Sequence, residues 1–97
     1  MDEPVESLRL DKWLWFARFL KSRSMAQGLI EEGGVQINGQ TVIKTATCIK
    51  PGNKVLFPQG KRWRLVRVVA LGERRGPAPE AQSLYEELPP PPLAPFE

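Results

Sequence analysis

Arg9-Leu10-Asp11-Lys12-Trp13-Leu14-Trp15-Phe16-Ala17-Arg18-Phe19-Leu20-Lys21-Ser22-Arg23-Ser24 is the stretch from which the rest of the chain can be read. Five basic residues and one acid here surround a run of large apolar side chains. Helical periodicity places Leu10, Trp13, Leu14, Ala17 and Leu20 on one stripe, the buried side of an amphipathic helix. Lys12, Trp15 and Arg18 follow at three-residue steps off that stripe. Such a helix buries one side and presents cations beside an aromatic ring on another, which suits a partner carrying phosphates.

Asp11 is placed to cap this helix, accepting bonds from early backbone amides and complementing the positive end of the dipole. The helix is expected to run to about Leu20. Lys21 to Ser24 then make a tight connection, and either serine can cap a second helix. Ser24 with Gln27 has capping-box spacing, and Ser22 is an equal alternative. Ala26, Leu29 and Ile30 carry the core face of that second helix, and Gly33-Gly34 stop it.

The period then changes to two. Val35-Gln36-Ile37 and Gln40-Thr41-Val42 flank Asn38-Gly39, a strong signal for a two-residue hairpin turn. A threonine-rich connection over 43–49 leads to a turn at Pro51-Gly52-Asn53 and a strand at Lys54 to Phe57. Pro58 to Lys61 turn again, and Arg62 to Leu71 form the longest strand. Its alternation slips between Leu65 and Val66, which predicts either a bulge or burial on both faces. The class is α+β: a helical hairpin followed by a short, mostly antiparallel twisted sheet.

Charge divides the chain more sharply than its formal net of +3 suggests. All 14 Lys and Arg precede Pro77, and between Ser7 and Gly76 only Asp11, Glu31, Glu32 and Glu73 oppose them, a net of +10. A domain this basic suits a polyanion, either nucleic acid (RNA or DNA) or an anionic membrane surface. The division read from composition is a flexible lead over 1–7, a binding domain over 8–76 and an acidic, proline-rich tail over 77–97, largely extended or disordered. Within that tail, Leu84 to Leu88 can form one helical turn against the body.

Chemistry by side chains finds little support. The chain has no histidine and one cysteine, so neither a disulfide, a metal cluster nor a Cys–His nucleophile is available. Cys48 is expected to be a buried small hydrophobe. Paired carboxylates at useful spacing and a glycine-rich phosphate loop are also lacking, and neither catalysis nor a cofactor is expected. No apolar run approaches the ~20 residues that span a bilayer, and the acidic start does not read as a signal peptide, so a cytoplasmic location is expected.

The cations Arg9, Lys12, Arg18, Lys21 and Arg23 cluster along the first helix and at the helix–helix corner, where the second helix adds free amides and a positive dipole end. Arg23 can fork onto two phosphate oxygens. A solvated face with local ion pairs, such as Arg23 with a nearby carboxylate, is the plainer alternative. Trp15 can stack on an unpaired base or lie under the C-terminal segment, and the sequence does not choose. Lys44 and Lys50 extend the basic surface, and Arg62, Arg64 and Arg67 either do so or merely solubilise the sheet.

Taken together, Arg9-Leu10-Asp11-Lys12-Trp13-Leu14-Trp15, Ser22-Arg23, Ala26, Leu29-Ile30, Gly33, Val35, Asn38-Gly39 and Lys50-Pro51-Gly52-Asn53-Lys54-Val55 resemble the small RNA-binding module named after the fourth protein of the small ribosomal subunit. The Lys-Trp-Leu-Trp continuation, Glu73-Arg74-Arg75, Glu80-Ala81 and Leu84-Tyr85-Glu86-Glu87 are similar to the ribosome-associated fifteen-kilodalton heat-shock branch of that family. The resemblance covers residues 8–88. It implies a non-catalytic protein whose partners are structured RNA, namely large-subunit ribosomal RNA with peptidyl-tRNA on free large subunits after stalled translation. Recycling of the nascent chain is the implied task. By position it implies an RNA face of Arg9, Lys12, Arg18, Lys21, Ser22, Arg23, Gln27 and Lys44, to which the residue reading adds Trp15. A monomer without membrane contact is expected. The better-known members continue into a long basic C-terminal helix, whereas the last 21 residues here are acidic and proline-rich. One alternative keeps the module as an RNA-targeting adaptor for a modifying enzyme, with the proline-rich tail as docking strip. A basic protein- or membrane-binding module without RNA is the remaining one.

Overall fold

A computed structural model describes residues 6–89. The chain opens with a two-residue strand β1 (Leu8–Arg9), helix α1 (Leu10–Phe16) and helix α2 (Arg23–Glu31). Strands β2 (Val35–Ile37), β3 (Gln40–Val42), β4 (Cys48–Ile49), β5 (Lys54–Gln59) and β6 (Arg62–Val68) follow. Helix α3 (Ala78–Gln82) and strand β7 (Tyr85–Leu88) complete the described part. Five strands form one antiparallel sheet in the order β3-β2-β5-β6-β7, and β1 pairs with β4 apart from it. The fold is α+β, with the helical hairpin and sheet in the expected order.

Helix α1 buries Leu10, Trp13, Leu14 and Ala17 as the stripe requires. It ends at Phe16 rather than Leu20, and the reason lies in Phe19. At about 100° per residue a continued helix would point Phe19 away from the stripe. Instead Arg18 takes a left-handed backbone (φ 66), and the N–H groups of Arg18 and Phe19 turn back to the carbonyls of Trp15 (3.1 Å) and Leu14 (3.1 Å). This is a Schellman closure, with arginine where glycine is usual. The left-handed residue costs about 1 kcal/mol. In return Phe19 enters the core, its ring 5.8 Å from Trp13 and 4.6 Å from both Phe57 and Tyr85. The Trp13 indole N–H donates to the Ala70 carbonyl at 3.0 Å and ties α1 to the segment after β6.

Ser22, not Ser24, caps α2: its hydroxyl accepts from the Met25 amide at 3.1 Å. The turn at Asn38-Gly39 has positive φ at both residues (51 and 86), the geometry that suits the right-handed twist of its strands. Asn38 also locks the hairpin to β5, exchanging bonds with the Lys54 amide and carbonyl at 2.8 Å each.

Register between β5 and β6 is unbroken from Lys54↔Arg67 to Gln59↔Arg62, so no bulge interrupts β6. Burial on both faces explains its slipped alternation. Val55 and Val66 pair on the helix side, whereas Leu56, Leu65 and Leu88 line up on the other face. Cys48 is exposed, contrary to expectation, because Ile49 takes the inward position of β4 and alternation turns its neighbour outward.

The largest correction concerns the stretch read as a tail from residue 77. Residues 78–88 supply α3 and the edge strand β7, which pairs Leu65↔Leu88 through Val68↔Tyr85. Tyr85 to Leu88 therefore extend as a strand rather than forming a helical turn with Leu84. Ala81 and Leu84 are buried, and Leu84 packs so close to Gly72 that a Cβ there would meet it at 3.1 Å. Glu86 and Glu87 made the segment look soluble; both are exposed on an edge strand, while Leu84, just before it, enters the core. The run Pro89 to Pro92 falls, beyond its first residue, outside the described residues, as does most of the lead over 1–7. Leu84→Ala should cost about 2–5 kcal/mol in urea denaturation, whereas in a passive tail it would stay within about 0.5 kcal/mol.

Candidate nucleic-acid interface

Asp11 is fully buried and does not cap α1; Arg9 occupies the N-cap position and no side chain caps there. The Asp11 carboxylate instead gathers three of the residues expected on the RNA face. Arg9 grips it with two bonds, Nε to Oδ1 at 3.2 Å and Nη2 to Oδ2 at 3.0 Å. Gln27 Nε2 donates to Oδ2 at 2.9 Å, and Arg23 Nε lies 3.3 Å from the same oxygen. The two arginine side chains keep 41% and 38% of their exposure. One carboxylate thus positions two cations and leaves the cluster positive. Gln27 serves this cluster and not a capping box.

The backbone makes that gathering possible. β1 pairs Leu8↔Ile49 and Arg9↔Cys48, and the Leu10 amide donates to the Thr47 carbonyl at 2.7 Å. Arg9 is therefore fixed on a strand just before α1, while Arg23 and Gln27 sit one turn apart on α2. Burial by itself pushes the Asp11 carboxyl up. The hydrogen bonds from Gln27 and Arg9 and the adjoining Arg23 outweigh it, holding the pKa below its ordinary value of 3.8.

Around this cluster the other expected residues have different surroundings. Lys21 is exposed at the helix corner, beside the capping Ser22. Lys12 is half-buried with Nζ 5.6 Å from the Phe16 ring centre. Arg18 is exposed, and its Nε donates to the Gly76 carbonyl at 2.6 Å. Lys44 is exposed on the β3–β4 connection and touches no member of the cluster. Trp15 is half-buried under the guanidinium of Arg75, 5.4 Å from its ring. The group over Trp15 is Arg75, which lies ahead of the segment that begins at residue 77.

Two cations of the sheet and one of the segment after it are matched by acids of the C-terminal segment. Arg64 pairs with Glu87 and packs over Phe19, Phe57 and Tyr85. Arg67 pairs with Glu86, and Arg74 with Glu80 at 2.8 Å. Among the described residues, Lys12, Arg18, Lys21, Lys44, Lys50, Lys54, Lys61, Arg62 and Arg75 have no carboxylate partner. Four of these, Lys12, Arg18, Lys21 and Arg75, stand along α1 and at the helix corner, and the other five lie on the sheet and its connections. Arg75 was not singled out as a site residue: its partners lie 55 and 60 positions away, and no local pattern announces it. Among the described residues no group of His, Cys, Asp or Glu could hold a metal ion, and no helix is long and apolar enough to cross a membrane.

A helical hairpin joined to a small twisted sheet, with cations gathered at the hairpin corner, is the arrangement of the S4 domain, and the family of that name matches residues 8–55. The heat shock protein 15 homolog of Haemophilus influenzae is 43% identical over 82 residues, covering 84% of this chain and 62% of its own. The RQC P-site tRNA stabilizing factor of Halalkalibacterium halodurans is 33% identical over 79 residues, covering 81% of this chain and 88% of its own. The solved structure of Vibrio cholerae heat shock protein 15, described as trimeric, superposes with a TM-score of 0.81 at 41% identity, over 86% of this chain and 83% of the other. The chain belongs to the heat shock protein 15 family of S4-domain proteins. It spans less than two thirds of the length of the Haemophilus relative. The expectation of a monomer gains no support, given the trimeric description of the Vibrio protein.

Because its folded-state pKa is depressed, Asp11 contributes its full stabilisation above about pH 4, and that contribution is lost as pH falls through the depressed value. Asp11→Asn should cost about 1–3 kcal/mol at neutral pH. The cost should shrink as pH falls below 3.8 toward the depressed folded value; urea denaturation at neutral and at acid pH checks this.

Proposed function

We propose that this protein binds structured RNA without acting on it chemically, on free large ribosomal subunits that carry a stalled nascent chain, and assists their recycling. The observation that carries this reading is the corner itself. A buried carboxylate pre-positions Arg9, Arg23 and Gln27, and cations without acidic partners stand beside them. Rigid elements holding guanidiniums in place suit phosphates in a fixed spatial arrangement, which structured RNA offers and single strands do not. The name of the Halalkalibacterium relative refers to P-site tRNA, and that supports a ribosomal partner and hence a cytoplasmic location. The RNA face consists of Arg9, Lys12, Arg18, Lys21, Ser22, Arg23, Gln27 and Lys44. Ser22 acts through the cap that fixes the corner, and Trp15 supports the face as part of its floor. The adaptor reading loses ground, because residues 78–88 of its docking strip are built into the fold.

The side chains of Lys12, Lys21 and Lys44 hold no hydrogen bond or ion pair among the described residues, so replacing all three by Gln separates binding from folding. The triple variant should keep the wild-type melting temperature within about 4 °C. It should co-sediment far less with free large subunits, and its plot of log affinity against log salt should flatten by about one for each phosphate contact removed. Unchanged sedimentation and an unchanged slope would show that these cations do not face RNA.

A further inference from the structure

At the far end of α1 from Asp11, two arginines are crossed over one another's backbone. Arg18 reaches forward to the carbonyl of Gly76 (2.6 Å), and Arg75 reaches back to the carbonyls of Trp15 (2.6 Å) and Leu20 (3.0 Å). Both guanidiniums thereby share one patch over the closing turn of the helix, with the Trp15 ring as its floor. Neither has a carboxylate partner among the described residues. Glu80 lies against Gly76 but gives both oxygens to Arg74, at 2.8 and 3.1 Å.

Bonds to carbonyls satisfy donors but leave charge uncompensated. Arg75 uses Nη1 for both carbonyls and Arg18 uses Nε for one, so the remaining Nη groups hold no bond within the described residues. Burial and then the Arg18 charge both push the pKa of Arg75 down, as expected for two cations held together without an anion. Arg18 also forms part of the wall of an open hollow of ≈ 220 Å³, which leaves it accessible from that side. Two guanidiniums fixed side by side at a surface are a receptor for a tetrahedral dianion or a phosphodiester, because each can donate a fork of N–H groups to separate oxygens.

We propose that Arg18 and Arg75 form a second phosphate-binding point, which takes a backbone phosphate of the same RNA at the C-terminal end of α1. This rests on the RNA-binding reading above and adds Arg75 to it. The Asp11 cluster and the arginine pair lie seven residues apart on the chain at α1, about 10 Å by helical rise. The RNA would thus be held at two separate points along one helix, and its orientation fixed as well as its affinity.

The test is a salt titration of binding to large-subunit ribosomal RNA by the wild type and by Arg75→Gln, Arg75→Lys and Arg74→Gln. Gln keeps an N–H donor for the carbonyls and removes the charge; Lys keeps the charge. Arg75→Gln should lower the salt slope by about 1 and weaken binding evenly across RNA sequences. Arg75→Lys and Arg74→Gln should keep the wild-type slope. A wild-type slope in Arg75→Gln, or equal loss of affinity in the Gln and Lys variants in step with their melting temperatures, would make Arg75 a structural latch and overturn the proposal. Should Arg75→Gln fail to fold, Arg18→Gly, which suits the left-handed backbone, removes the partner charge. A lower slope supports the site and an unchanged slope overturns it. If the wild type itself showed no salt-dependent binding, the RNA reading would fall, and this site with it.

Discussion

A carboxylate withdrawn from water must be compensated where it lies, because an unpaired buried charge is costly. Asp11 meets that requirement with Arg9 from β1 and with Arg23 and Gln27 from α2. Three segments are thus brought to one point by one group. The two arginines remain about 40% exposed on their outer side, so the arrangement stabilises the helical hairpin and aims cations outward at once. Most of what is distinctive about the surface follows from this small ionic core. Remove its acid, and two neighbouring guanidiniums would repel each other across an unfilled space.

The sheet handles charge in the opposite way. β7 adds Glu86 and Glu87 opposite Arg67 and Arg64, and α3 brings Glu80 to Arg74. Arg64 is in addition spread over the rings of Phe19, Phe57 and Tyr85, where its planar group serves as core cover. Acids of the last segment thus cancel cations of the middle one. Exposed pairs of this kind add little stability each. Their larger effect is electrostatic: they offset three of the cations that lie away from the hairpin corner.

Local signals were enough wherever a structure is decided by neighbours in sequence. The stripe from Leu10 to Ala17, the glycine stop after α2, the Asn38-Gly39 turn and the alternation around β2 and β3 all appear as read. The misreadings share a different cause. Asp11 looked like a cap because an acid near a helix start usually is one; its true partners are on α2 and on the strand before it. The early end of α1 depends on Phe19 finding Phe57 and Tyr85, residues 38 and 66 positions further on. Residues 78–88 looked like tail because their acids and prolines mask Ala81 and Leu84, whose burial exists only once α1 and β6 are in place.

What the sequence determined by itself is the class of the fold, the run of its helices and first strands, and the excess of positive charge before residue 77. Periodicity and composition suffice for these, since each is a property of residues close together along the chain. Tertiary structure decided which cations stay unpaired, that Trp15 is roofed by Arg75, and that Asp11 organises the corner. Those outcomes depend on groups 16 to 60 positions apart meeting within hydrogen-bonding or ring-contact distance. Such meetings are set by packing of the whole domain, and no local pattern encodes them.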